Sequence, residues 1–179
     1  MKQSLAEQHG FGKDFWPASL ATMSMPDRYL QVINQWLKNP KYIFLFSGTT
    51  GIGKTHLCAA ITNELWGNNV SFRFFTQEKL FSQIKQGFSQ GYDQSTSLQS
   101  VCDNEFLIID DLTEVPSEWE QKVMFEIVQT RADSHKPTIL TTNASRETLA
   151  AKYGIRCADR LFNKRNLVIV SNEQSKRTT

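Results

Sequence analysis

The chain has 179 residues, of which 40% are hydrophobic and 21% charged, the profile of one globular domain able to bury its own core. A formal net charge of +2 does not by itself argue for nucleic acid, and no apolar run approaches the roughly 18 residues of a membrane span. Met1–Gln8 lacks a signal-peptide core, and Cys58, Cys102 and Cys157 are widely spaced with no C-x-x-C pair, which argues against a disulfide framework or a zinc site. A reducing, cytoplasmic setting with three buried structural thiols is the expectation.

In chain order, residues 1–25 have little periodicity and form an extended lead-in, with Phe11, Phe15 and Trp16 pinning it to the body. Pro26 suits the first residue of a helix to about Lys38, with Tyr29, Leu30, Ile33, Trp36 and Leu37 as one apolar stripe. Tyr42–Ser47 is an apolar run fit for a buried strand, and His56–Leu65 carries Leu57, Ala60, Ile61 and Leu65 at helical spacing. Gly67-Asn68-Asn69 punctuates the end of that helix. A second strand spans Val70–Phe75, and Gln77–Gly87 reads as helix. Phe88–Ser100, polar and rich in Gln and Ser, reads as a mobile stretch. Phe106–Asp111 is a third buried strand, Glu118–Ala132 a helix, Pro137–Thr142 a fourth strand, Arg146–Lys164 a short helical region and Leu167–Ser171 a fifth strand. Strands alternating with helices predict an α/β sandwich around a parallel sheet, with a core over 26–171, a disordered tail over 172–179 and no separate lid domain.

Between the first strand and its helix lies Gly48-Thr49-Thr50-Gly51-Ile52-Gly53-Lys54-Thr55, the pattern G-x-x-x-x-G-K-[ST]. A chance match in a chain this long is expected on the order of 1% of the time, and strand–loop–helix is the context the motif needs. Glycines allow successive backbone N–H groups to converge on phosphate oxygens, and the following helix adds its dipole. Lys54 would place positive charge on the outer phosphates, the Thr55 hydroxyl would ligate Mg²⁺, and His56 completes the expected ATP-binding run.

Asp110 and Asp111 end the third strand, and ligands of an open parallel sheet collect at that edge. Asp110 is the expected second Mg²⁺ ligand and Asp111 a group that orients the attacking water, unless the two acids only open a turn. Asn143 follows the fourth strand. If that strand lies between the first and third, Asn143 reaches the γ-phosphate or the water; alternatively Asn143 and Ser145 cap the next helix. Arg156 and Arg160 share a helical face and could reach a neighbouring subunit's γ-phosphate as arginine fingers, with Asp159 neutralising one of them; the spacing equally suits an ordinary solvated helix face.

The loop with its Lys-Thr-His-Leu continuation, Leu107–Leu112, Pro137–Asn143 and Tyr153–Leu161 together resemble the AAA+ ATPases of the DnaC/DnaI replicative helicase loader family. The resemblance covers about residues 40 to 170. It implies a P-loop NTPase fold of the AAA+/ASCE class: a three-layer sandwich with a five-stranded parallel sheet of order 5-1-4-3-2. It also implies Asn143 as the sensor of the γ-phosphate, Arg160 as the finger, and Arg156 as a second candidate. Its expected partners are a replicative helicase, single-stranded DNA, and a second subunit or heterocomplex partner across the ATP site. Two departures stand out: only a short lead-in precedes the ATPase core, where these loaders carry a helicase-gripping domain, and the chain stops just after the fifth strand. An open adenine side predicts weak affinity and slow hydrolysis alone, stimulated by DNA or a partner.

Members of the resembled family contact single-stranded DNA near the sheet edge, which makes Lys79 and Lys85, interleaved with Phe81 and Phe88, the candidates here. Alternatively Phe81 and Ile84 pack inward and the two lysines are solvated surface charge. The competing functions are a transposition helper ATPase, a regulatory module that engages a loader or helicase, and a small-molecule kinase. Against the kinase, the strand after the loop helix ends without an acid.

Overall fold

The computed structural model describes residues 11, 15, 17–89, 91 and 93–171. Trp16, the segment 1–10 and the tail 172–179 lie outside the described residues, as do the expectations placed on them. A 3₁₀ turn at Leu20–Thr22 leads into α1 (Asp27–Leu37), β1 (Ile43–Gly48), α2 (Lys54–Gly67), β2 (Phe72–Thr76) and α3 (Gln77–Ser89). Then come α4 (Gln94–Cys102), β3 (Phe106–Asp110), α5 (Glu118–Asp133), β4 (Thr138–Thr142), α6 (Arg146–Tyr153), α7 (Ile155–Leu161) and β5 (Leu167–Ser171).

The five strands form one sheet of order β2-β3-β4-β1-β5, parallel at every junction, which is the expected 5-1-4-3-2 read from its other edge. Side chains alternate across a strand, so each strand feeds two separate cores. Ile43, Leu45, Leu107, Ile109 and Leu140 face α3 to α7, against Leu80, Ile84, Val123, Ile127 and Leu149. Phe44, Phe46, Ile108, Ile139 and Ile169 face α1, α2 and the lead-in, against Ile33, Leu57, Ile61, Phe11 and Met23. Burial on both faces explains the near-continuous apolar runs of β1 and β3. Each fully buried Leu or Ile contributes about 1.5–3 kcal/mol before chain entropy is subtracted. The three cysteines are all buried and unbridged.

The expected mobile stretch is instead largely α4. Asp93 caps it by accepting from the Thr96 N–H at 2.7 Å, and Leu98, Val101 and Cys102 are buried at i, i+3 and i+4. Three apolar residues on one face suffice when α3 and α5 supply the other wall, although the segment's average polarity is high. The helical region after Asn143 is likewise two helices, because Gly154 adopts φ +84° and turns the chain between α6 and α7. At α5, Ser117 and Glu120 form a capping box.

Arg131 on α5 is fully buried at the edge of the sheet remote from the phosphate loop. Its guanidinium donates to the carbonyls of Cys102 and Asn104 at 2.8 Å and Pro137 at 2.6 Å, and its Nε donates to Thr138 Oγ1 at 2.6 Å. Burial pushes its pKa down to about 10, which leaves it charged at neutral pH. The fork thereby ties the starts of β3 and β4 to α5. Arg131→Met keeps volume but orphans these acceptors, and it is expected to cost about 3 kcal/mol or more in urea unfolding. Arg131→Lys, which cannot span the fork, should recover only part of that.

Candidate active site

Parallel strands deliver all their C-terminal ends to one edge, and the chemistry-bearing residues gather there. Between β1 and α2 the loop turns through Gly51 at φ +87° and Gly53 at φ +97°. A Cβ on Gly48 would lie 2.3 Å from Ile52 Cδ1 and 2.9 Å from the Ser171 carbonyl oxygen, so glycine is required for the loop to pass β5. Ile52 turns inward under the loop and is buried, so only its backbone can serve a ligand. Lys54 Nζ donates to the carbonyls of Gly48 at 2.9 Å and Thr49 at 3.0 Å, which holds the ammonium over the loop.

A cleft of about 350 Å³ opens beside the loop, floored by Thr50, Gly51, Gly53 and Lys54. Thr55 and His56 line it at the start of α2, and Asp111, Thr113 and Asn143 line it from β3 and β4. The start of α2 supplies a positive dipole end to the same space.

Asp110 ends β3 at 3% exposure. Its Oδ2 accepts from Thr55 Oγ1 at 2.8 Å, and its Oδ1 accepts from Thr141 Oγ1 and from the Cys58 thiol at 3.7 Å. Burial, reinforced by the Asp110 charge, pushes the Cys58 thiol well above its ordinary pKa, so it serves as a neutral donor. The hydroxyl of Thr55 and the carboxylate of Asp110 are hard oxygen donors that fit Mg²⁺, an ion commonly held by one or two protein groups plus substrate phosphates. The described residues contain no cluster of three or more His, Cys, Asp or Glu that would hold a metal without such help.

Asp111 is exposed and sits at φ +65°, with its N–H donating to Thr141 Oγ1 at 3.0 Å. β4 does lie between β1 and β3, so Asn143 stands across the cleft from the loop. Ser145, and not Asn143, caps α6, accepting from the Thr148 N–H at 3.2 Å. Ser47 Oγ donates to the Ala144 carbonyl at 2.9 Å and Thr142 Oγ1 to the Leu112 carbonyl at 2.9 Å, which secures the chain on either side of Asn143. The positions of Thr141 and Cys58 were not legible from spacing, because they depend on β4 register and on which face of α2 meets β3.

Arg156 and Arg160 are exposed on α7, and neither lines the cleft. Asp159 pairs with Arg146 at 2.8 Å and not with either arginine, because α6 packs beside α7 and brings Arg146 within reach. Lys79 is exposed on α3, whereas Lys85 pairs with Glu120 at 2.8 Å and lies 5.0 Å from the Trp119 ring centre. Phe81 is buried in the core, as is Ile84, so Phe81 offers no stacking surface; the Phe88 side chain lies outside the description.

Residues 20–178 match the model of the IstB-like ATP-binding protein family. The chain belongs to this family. The replicative helicase loader DnaC of Escherichia coli K12 is 32% identical over 137 residues, covering 75% of this chain and 56% of that protein. The chain thus spans little more than half the length of the loaders it matches. A crystal structure of the DnaC helicase loader superposes with a TM-score of 0.75 at 27% identity, over 88% of this chain and 99% of that one. The replication initiator DnaA bound to AMPPCP and single-stranded DNA shares the fold, with a TM-score of 0.74 at 19% identity over 85% of this chain and 50% of that one. The fold is therefore that of the AAA+ P-loop ATPases, with the loop–helix–sheet arrangement of nucleotide binders. Among the described residues no helix is long and apolar enough to cross a membrane.

A methyl group at position 48 tests the loop geometry. Gly48→Ala should lower both the melting temperature and ATP-analogue binding in a thermal-shift assay, because Ser171 backbone cannot yield as a side-chain tip would.

Proposed function

We propose that this family member binds and hydrolyses ATP and acts in DNA replication, as a loader-like partner of a replicative helicase on single-stranded DNA in the cytoplasm. The observation that carries the ATPase reading is the meeting of Thr55 and the buried Asp110 at 2.8 Å, where Thr55 lines a cleft together with Lys54 and Asn143. Lys54 would leave the loop carbonyls for the outer phosphates, and the N–H groups of Gly51 to Thr55 would cradle the others. Thr55 and Asp110 would hold Mg²⁺, which when bound neutralises charge on the phosphate oxygens. Asp111, exposed at the cleft wall, would orient a water, with Asn143 bonding that water or the γ-phosphate.

Arg160 would serve a neighbouring subunit's site, since it projects from α7 outside its own cleft, with Arg156 one turn before it. The site is then completed by a second subunit or a heterocomplex partner. The name of the DnaC relatives supports the helicase part of the reading, and the ligands of the DnaA neighbour suggest the strand. Lys79 is the better of the two proposed DNA contacts, since Lys85 is engaged with Glu120.

Phosphate release with no phosphorylated acceptor is the expected activity, slow alone and raised by single-stranded DNA or helicase. Lys54→Ala should weaken ATP binding about 30-fold or more, the size of one lost charge contact, and bring release to background. Unchanged binding and turnover in that variant would refute the site. Arg160→Ala should reduce turnover of the assembled protein by about 10³-fold. Mixing it with Lys54→Ala protein should return a fraction of the rate, since one variant supplies the loop and the other the arginine. Wild-type turnover by assembled Arg160→Ala would remove the finger assignment alone.

A further inference from the structure

Resting on the ATPase reading, we infer that Thr141 is a positioning residue that fixes the metal-holding carboxylate of Asp110 and the backbone of Asp111 at once. Thr141 is fully buried on β4, one residue beyond the Ile109–Leu140 pair that aligns β3 with β4. Its hydroxyl donates to Asp110 Oδ1 and accepts the Asp111 N–H at 3.0 Å. A hydroxyl has one proton to give, so donation to Asp110 leaves its lone pairs for Asp111 and fixes the direction of both bonds.

The consequence for Asp110 is a division of labour between its oxygens. Oδ1 is occupied by Thr141 and, more weakly, by the Cys58 thiol at 3.7 Å, while Oδ2 is turned to Thr55 at 2.8 Å. The carboxylate cannot rotate without losing the Thr141 bond. Asp111 sits at φ +65°, a left-handed conformation that Asp tolerates better than most residues, and the bond from its N–H to Thr141 anchors its backbone there. The same hydroxyl therefore sets Asp111 at the cleft wall, beside Thr113 and Asn143. A bare β-strand threonine would need only to fill space. This one couples the two acids through a single oxygen.

Thr141→Val keeps the shape and removes the hydroxyl, and Thr141→Ser keeps the hydroxyl and removes the methyl. Full-length variants are compared by binding of a fluorescent ATP analogue in EDTA, by Mg²⁺ titration of that binding, and by phosphate release. In Thr141→Val the affinity in EDTA should stay within about twofold of wild type, because loop and Lys54 are untouched. Its Mg²⁺ half-saturation should rise about tenfold and its kcat fall about tenfold or more, the size of one hydrogen bond to a charged group. Thr141→Ser should restore both. If Thr141→Val does not fold, Thr141→Ala takes its place with the same expectation. If neither folds, Thr141→Ser decides: retention of the wild-type Mg²⁺ half-saturation supports the assignment, and a tenfold rise contradicts it. A Thr141→Val protein that is less stable yet titrates with Mg²⁺ and turns over like wild type overturns the Thr141 assignment and leaves the ATPase reading standing. Wild-type protein that binds no nucleotide with or without Mg²⁺ overturns both.

Discussion

A carboxylate at 3% exposure needs hydrogen-bond donors for its oxygens, and the arrangement around Asp110 supplies them. Thr55 on α2, Cys58 one turn later and Thr141 on β4 all donate to it, so three donors from two elements, α2 and β4, converge on one side chain of β3. Each donor is available only if the sheet order and registers are as observed. Moving β4 out from between β1 and β3 would remove Thr141 and Asn143 together. A one-residue slip of β4 would turn Thr141 to the opposite face. The site and the topology thus depend on each other.

The two cores hold that topology in place from either side. On the loop side, Phe44 and Phe46 pack under α2, which fixes the helix start that Lys54 and Thr55 occupy. The lead-in contributes Phe11, whose ring centre lies 3.9 Å from that of Phe74, and Ala18, whose carbonyl accepts from Asn63 Nδ2 at 2.8 Å. On the other side, α3 to α7 clamp β3 and β4 at both ends. Arg131 ties their starts to α5, and Lys152 on α6 donates to the Thr113 carbonyl just past the Asp111 turn. Lys152 therefore links the loop after Asp111 to α6, which packs beside the α7 that carries Arg156 and Arg160. Stability at one edge of the sheet and chemistry at the other are served by different residues.

Much of this was legible in the residues themselves. The glycine loop, the apolar run ending in Asp110 and the alternation of strands and helices needed no more than spacing, and family resemblance supplied the strand order. What spacing could not reach were features created by contact between distant segments. α4 is hidden because Gln and Ser dominate its composition, while its Leu98, Val101 and Cys102 stripe has meaning only against α3 and α5. Asp159 has Arg156 and Arg160 nearby in sequence, yet its partner is Arg146, thirteen residues upstream. For Phe81 the sequence left two readings, a stacking surface and inward packing, and its burial in the core bears out the second. Thr141 is one of three consecutive polar residues, Thr141 to Asn143, at the end of β4, and only its register opposite the two acids distinguishes it.

The central claim is that Asp110 is a carboxylate held in place for hydrolysis and not only a buried structural acid. Asp110→Asn keeps shape and most hydrogen-bonding capacity while removing the charge. The direct measurement is ATP binding and phosphate release by this variant beside wild type, with melting temperature as the control for folding. The account predicts ATP-analogue binding within a few-fold of wild type and release reduced about 100-fold or more, as for loss of a group that stabilises transition-state charge. Release at the wild-type rate from folded Asp110→Asn protein would contradict it.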